Sequence, residues 1–327
     1  MRVAVTGATG HLGANVVRDL LAHGFGVRAV CHPSSKMDAL EGLDVEIAHA
    51  DVLQPESLLA AFQDADAVVH LAAMISIIGD PNGTVMRTNV EGARNVARAC
   101  LDNCVSKLVH ISSIHALKSS PRDKRIDESS SPADHGCSAY DRSKAAGERE
   151  ILAATEDGLD ATILNPTGIL GPHDYAGSLS GQMLRSLFQG RLPALIEAGF
   201  DWVDARDVAS VIRTSLRYGQ PGERYVISGR WASFKRLAEL CEAVSATPAL
   251  RLVLPLWAAF VGLPFLRLQS RITGVRPLYS YESLMILRNS NKNYMAEKAH
   301  RDFAFIPRPL RETINDTHDW NAELGLL

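Results

Sequence analysis

Val3-Ala4-Val5-Thr6-Gly7-Ala8-Thr9-Gly10-His11-Leu12-Gly13 is the stretch that decides how the chain is read. A short apolar run passes into a glycine triplet, G-x-x-G-x-x-G. A helical pattern over His11 to Ala22 follows, with apolar residues at 12, 16, 17, 20 and 21. Glycine accepts the positive φ of such a turn and lets backbone approach a ligand closely. The helix behind it begins with free N–H groups and a partial positive charge, a natural seat for a phosphate. A lone triplet is weak evidence, but this one lies at the first strand-to-helix junction, where a pyrophosphate would need it. Gly7, Thr9, Gly10, His11, Leu12 and Gly13 are the first candidate ligand residues. The plainer alternative is a tight turn that holds nothing.

Outward from this turn, strand and helix patterns alternate. Strands are expected at Gly26 to Cys31, Val45 to Ala48, Ala67 to Leu71, Lys107 to Ile111 and Ala161 to Leu164. Helices are expected at Pro55 to Phe62, Asn89 to Cys100 and Ser143 to Ala154. Strands that alternate with helices pair in parallel through crossover connections, and runs such as Val68-Val69 suit strands covered on both faces. The expected fold is α/β, a doubly wound parallel sheet. After about residue 165 the rhythm weakens, leaving helices at Asp207 to Leu216 (Asp207 near its cap) and Ser233 to Val244 (capped by Ser233), and a strand at Arg224 to Ile227. The expected division is a dinucleotide-binding domain over 1–165, with strands returning to it after 200, and a smaller, mostly α substrate lobe over 166–327. One long polar loop, His115 to Ser138, is expected to be functional.

The 327 residues carry 34 Lys and Arg against 37 Asp and Glu, with 46% hydrophobic residues. That balance leaves no basic excess for nucleic acid, and the apolar content excludes a disordered acidic chain. Five cysteines without a C-x-x-C suggest neither a disulfide framework nor a metal site, and point to a reducing, cytoplasmic setting. The first residues do not read as a signal peptide. Leu252 to Leu266 holds no charge but contains Pro255, Gly262 and Pro264, and is shorter than the roughly 20 residues of a spanning helix. It reads as a buried or pocket-covering helix, or as a lid or peripheral membrane contact.

Other strand ends add ligand candidates. Asp51, followed by Val52, is placed to accept from an adenine amino group or to cap a helix. His70-Leu71-Ala72-Ala73 ends a strand in small residues, over which a cofactor can lie. The second strand, where NAD enzymes carry an acid for the ribose hydroxyl, ends instead in His32-Pro33-Ser34-Ser35-Lys36. His32, Ser34 and Lys36 suit a 2′-phosphate, which favours NADP(H) over NAD(H). Tyr140 and Lys144 form a Tyr-x-x-x-Lys pair, one helical turn apart on one face. An ammonium there is expected to lower the phenol pKa for proton transfer. Lys144 is also placed to hold ribose hydroxyls. Ser112 and Ser113 end the fifth strand and supply a hydroxyl at the crevice.

Thr6 to Gly13, Asp51-Val52, His70 to Ala73, Asn89-Val90-Glu91-Gly92, Ser112-Ser113, Tyr140-x-x-x-Lys144, Asn165-Pro166-Thr167-Gly168 and Asp201 to Ala209 together resemble the extended short-chain dehydrogenases/reductases. Within them the chain is most similar to the dihydroflavonol reductase and 3β-hydroxysteroid dehydrogenase-like branch. The resemblance implies a Rossmann sheet and a homodimer through the helices near Asn89 to Cys100 and Tyr140 to Ala154. It implies Tyr140 as acid/base, Lys144 as its partner and Ser113 (or Ser112) orienting the substrate oxygen. Asn89 would serve the proton relay or brace the active-site helix, and Pro166 and Thr167 would line the nicotinamide. The chain departs from the pattern at Asn165, where the family often has Arg, and at His32, where the branch often has Arg. The expected activity is interconversion of a carbonyl and a secondary alcohol on a small, fairly apolar substrate, with His115, His173, Tyr175 and Trp202 as candidate contacts. A nucleotide-sugar epimerase or dehydratase, and a non-catalytic dinucleotide sensor, are the alternatives.

Overall fold

The computed structural model describes residues 1–119, 121, 124–248, 250–263 and 280–327. Seven strands form the main sheet: β1 (Arg2–Thr6), β2 (Gly26–Cys31), β3 (Glu46–His49), β4 (Ala67–His70), β5 (Lys107–Ile111), β6 (Ala161–Pro166) and β10 (Arg224–Ile227). Their order is β10-β6-β5-β4-β1-β2-β3, and every neighbouring pair is parallel. The chain winds outward from β1 to β3, then returns across β4 to β10. The direction reverses between β1 and β4, which opens a crevice at the carboxyl ends of the strands.

Alternation along each strand builds the two covering layers. Val3, Val5 and Val69 face α1 (His11–Ala22) and α7 (Ala205–Tyr218), where Val16, Leu20, Val208 and Ile212 close the layer. Ala4, Val68 and Leu108 face α2 (Pro55–Phe62), α4 (Gly92–Asp102) and α5 (Ala139–Glu156), meeting Leu58, Val96 and Ile151. Burying a side chain such as Leu20 or Leu108 stabilises by roughly 2 kcal/mol, so both layers are continuous sources of stability.

The second lobe is mostly helical, as expected, and adds a few short strands. β7 (Gly168–Leu170), β9 (Gly199–Asp204) and β11 (Arg230–Ser233) make a three-stranded sheet, and β8 (Leu195–Ile196) pairs with β12 (Val253–Leu254). Of these, β7, β8 and β12 have only two or three residues, too few to show a period of their own. Around them pack α6 (Leu179–Phe188), α8 (Phe234–Ser245) and the helix Leu310–Glu323. Asp204, not Asp207, caps α7 by accepting from the Arg206 N–H. Asp207 is taken by Arg308, whose Nε lies 2.8 Å from its Oδ1.

Residues 256–263 are helical, with Leu256, Ala259 and Phe260 against the lobe's core while Trp257 and Val261 stand exposed. The uncharged segment is therefore half buried; its last residues, 264–266, lie outside the described ones. No helix among the described residues is long and apolar enough to cross a membrane.

Candidate functional site

The glycine turn joins β1 to α1 at the crevice. Gly7 sits at φ +68°, and a Cβ on Gly13 would stand 2.1 Å from the Gly7 carbonyl oxygen. No side chain caps α1 and its first turn holds no acid, so its leading N–H groups are left for a ligand. The His11 ring does not join them. Its Nε2 lies 3.1 Å from the Gly171 carbonyl and 3.2 Å from that of Pro172, so it donates to the second lobe; only the backbone of His11 remains for a phosphate. Thr6 closes the turn: its hydroxyl receives the Leu71 and Ala72 N–H groups at 3.2 and 3.3 Å, bringing the small residues after β4 beside the glycines.

At the far side, His32 and Asp51 end β2 and the stretch after β3 as neighbours, with Nε2 and Oδ2 3.8 Å apart. His32 Nδ1 lies 2.8 Å from the Ser34 hydroxyl, and Asp51 Oδ1 accepts from the Leu53 N–H. Lys36 is exposed, and Val52 is half buried against Gly92 of α4. These groups, the uncapped helix and the close-packed glycines fit a nicotinamide dinucleotide.

The second cluster forms where β5 and α5 meet. Ser138 and Asp141 make a capping box that starts α5 at Ala139, so Tyr140 lies in its first turn. Tyr140 is 9% exposed, and its phenol lies near the Ser113 side chain, whose hydroxyl accepts from the His115 N–H at 3.2 Å. Burial pushes the phenol up to about 12, against a lowering pull from Ser113 and a further push from Asp141. The expected lowering by lysine is not what acts on it. Lys144 donates to the Ile111 carbonyl at 2.9 Å, which turns its charge to the strand end, and burial lowers its own pKa to about 8 while Glu148 holds it up. Ser112 is buried too, but its hydroxyl has no hydrogen-bond partner. Of the two serines, Ser113 is the one facing the phenol.

Asn89 lies in the π-helical turn Arg87–Glu91, just ahead of α4. Its amide accepts from the Met74 N–H at 2.8 Å and donates to the Met74 carbonyl at 3.0 Å. It also donates to the Ser143 hydroxyl at 2.8 Å, which in turn donates to the Tyr140 carbonyl at 2.7 Å. Of the two roles implied for it, the geometry is that of a brace. His115 packs edge-on to the Tyr140 ring at 5.8 Å, with Nδ1 3.1 Å from Asp141 Oδ1. Pro166 and Thr167 end β6 beside this cluster, and the Thr167 hydroxyl donates to the buried Asp201 at 2.7 Å.

Three expected substrate contacts, His173, Tyr175 and Trp202, pack against other aromatic rings. His173 and Tyr175 stack at 6.5 Å and meet Trp320 edge-on, with Arg18 of α1 over the Tyr175 ring. Trp202 is a core residue of the second lobe, packed between Phe200 and Phe234. Aromatic type alone did not separate core from pocket.

Beneath Lys144 lie two buried histidines that the sequence reading left out as partners. His70 and His110 face each other across β4 and β5 at 5.2 Å, and His70 Nδ1 meets the Thr6 hydroxyl at 2.8 Å. Burial, then the Lys144 charge, pushes His70 from 6.5 down to about 3. Burial, His70 and Lys144 push His110 well below its ordinary value. Between about 6.5 and 3 an unfolded chain binds protons that folded His70 refuses, so stability falls as pH drops through that window. Melting temperature should decline from pH 7 to pH 4, and His110→Phe should flatten that decline; an unchanged slope would refute the assignment.

A family model described as the NAD dependent epimerase/dehydratase family matches residues 3–228. The chain belongs to that family. Sterol demethylase protein B of Methylococcus capsulatus is 33% identical across 100% of both chains. A putative dihydroflavonol 4-reductase of Synechocystis is 28% identical over 98% of this chain and 94% of its own. Among solved structures, that of gox2253 superposes with a TM-score of 0.86 at 28% identity, over 99% of each chain. Like other members of the NAD-dependent epimerase/dehydratase family, this protein is an NAD(P)-dependent enzyme of the extended short-chain type.

Proposed function

We propose that the protein is a reductase that interconverts a carbonyl and a secondary alcohol on a largely apolar substrate. The observation that carries this reading is the buried Tyr140 phenol beside Ser113, which follows the carboxyl end of β5. A nicotinamide dinucleotide bound at the glycine turn supplies or accepts the hydride. The chain's own groups handle the oxygen. Ser113 orients the carbonyl oxygen, and Tyr140 hands it a proton from Oη. A phenol held near 12 keeps that proton throughout the neutral range, which suits the reductive direction. Lys144, still largely charged below about 8, holds the strand end and favours negative charge nearby. Asn89 and Ser143 fix the first turn of α5, so that Tyr140 does not drift.

Two observations favour an apolar substrate over a nucleotide-sugar. Met74, whose backbone Asn89 clamps, and Ile75 beside it stand exposed next to the active-site helix. Relatives named sterol demethylase protein B and putative dihydroflavonol 4-reductase span nearly the whole chain. We also propose NADP(H) as the preferred cofactor. Its support is the end of β2, where His32, Ser34 and Lys36 stand without an acid on that strand.

The test is a panel of steroid, flavonoid and aliphatic ketones beside UDP-glucose, each with NADPH and with NADH. The expected result is one reduced cofactor consumed per alcohol formed, faster with NADPH, on the ring-bearing ketones. Turnover of UDP-glucose with no net cofactor consumption would instead establish an epimerase.

A further inference from the structure

Strand β5 ends at Ile111, and the ladder to β6 ends with it: the Ser112 N–H still donates to the Leu164 carbonyl at 2.8 Å. One step further the bond is made by a side chain. The Asn165 amide donates to the Ser113 carbonyl at 2.9 Å, and the same nitrogen donates to Glu148 Oε1 at 2.5 Å. The other oxygen of Glu148 accepts from Arg224 Nε on β10 at 2.7 Å. Asn165 and Glu148 are completely enclosed, at 0% and 1% exposure. Glu148 stands on α5 one turn beyond Lys144 and two beyond Tyr140, so the carboxylate and the ammonium share a helix face.

A buried carboxylate is costly unless charge and hydrogen bonds satisfy it. Here one oxygen is met by a guanidinium and the other by an amide that is itself aimed at the backbone of the reacting serine. Nothing in cofactor or substrate binding calls for that arrangement, because both residues lie behind the reacting hydroxyls.

We propose that Asn165 and Glu148 are positioning residues: anchored by Arg224, they fix the Ser113 backbone so that its side chain is held beside Tyr140, and they place a negative charge on the helix turn next to Lys144. The inference rests on the Tyr140–Ser113 reading and adds two residues to it. Asn165 governs geometry and Glu148 governs charge. The titratable groups around Lys144 are Glu148 and Tyr140 on its own helix and His70 and His110 from the sheet beneath. Of the three outside the phenol, only Glu148 favours the charged ammonium.

Two variants separate the roles. Asn165→Ala removes the amide and frees the Ser113 carbonyl. Glu148→Gln keeps the shape and an oxygen for Asn165, but removes the charge. The first measurement needs no substrate: NMR of the full chain labelled at tyrosine Cζ and lysine Cε, with Ser113→Ala as reference. Asn165→Ala should move the Tyr140 resonance towards its position in Ser113→Ala. Glu148→Gln should leave that resonance in place and shift the Lys144 titration to lower pH. If a ketone from the panel is turned over, Asn165→Ala should lower kcat on the order of 100-fold, as expected for a misplaced reacting group, with the Kd for NADPH unchanged.

An unmoved Tyr140 resonance in a folded Asn165→Ala, or an unshifted Lys144 titration in Glu148→Gln, overturns the proposal. Should Asn165→Ala fail to fold, the Glu148→Gln titration alone decides. Because these resonances report on the resting protein, a failed substrate panel would count against the reductase reading and leave this result standing.

Discussion

Tyr140→Phe should lower kcat for ketone reduction about 1000-fold while NADPH binds as before. The magnitude is that of losing a positioned general acid. The ring stays, so its edge contact with His115 and its place in the first turn of α5 stay with it. What goes is the hydroxyl, the acid of the pair. Ser113 can still orient the carbonyl oxygen but has no acid behind it. The raised phenol pKa adds a pH signature. With the proton held up to about 12, Tyr140 should impose no fall in the reductive rate between pH 6 and pH 9. Alcohol oxidation, which needs the phenolate, should be slow at pH 7 and rise steadily with pH. Near-normal reduction by Tyr140→Phe, measured at saturating NADPH, would move the acid elsewhere. His115, paired with Asp141 against the same ring, would be the next residue to test.

The second large effect is expected at Gly13. A Cβ there would stand 2.1 Å from the Gly7 oxygen and 2.8 Å from the Ala8 carbonyl carbon, both of them backbone that cannot swing aside. Gly13→Ala must push α1 away from the turn whose N–H groups are to hold the diphosphate. Overpacking of this kind costs about 1–3 kcal/mol, and NADPH affinity should fall more than tenfold with it. Gly26→Ala is the control, since a Cβ there meets nothing closer than 3.9 Å. Melting curves and NADPH fluorescence titration of the two variants distinguish a blocked turn from a general loss of glycine. Tight NADPH binding by Gly13→Ala would show that the ligand sits elsewhere.

The central sheet was legible because its signals are local. Pro55–Phe62 and Lys107–Ile111 fall where the residue pattern puts them, and β3 is displaced by one residue. The apolar pattern starts α5 at Ser143, four residues late, although the Tyr140–Lys144 spacing already sets Tyr140 on a helix. The missed signal was Ser138 with Asp141 three positions on, a capping box that lies in the sequence but ahead of the apolar pattern. The shortest strands of the second lobe, β7 and β8, leave no comparable trace, because they have three and two residues and are held by partners distant in the chain.

The candidate site divides in the same way. Gly7 to Gly13, Ser113, Tyr140 and Lys144 were legible as motifs, and the fold brings the serine and the tyrosine together. The electrostatics were not legible. The pairing of Tyr140 with Lys144 predicted a lowered phenol pKa, but burial outweighs it and the ammonium is turned to the Ile111 carbonyl. The roles of His11, Asn165 and Glu148 depend on Gly171, Ser113 and Arg224, none of which is near in sequence. The i, i+4 spacing of Lys144 and Glu148 was the one available hint.

The most direct test of the central claim is a crystal structure of the protein with NADP⁺ bound. It is expected to place the diphosphate on the N–H groups that open α1 and the nicotinamide ring beside Tyr140 and Thr167. The C4 atom would then lie within about 3.5 Å of the space that a carbonyl carbon fills when its oxygen reaches the Tyr140 and Ser113 hydroxyls. A dinucleotide seated with its nicotinamide away from Tyr140, or a diphosphate that bypasses the glycine turn, would contradict the account.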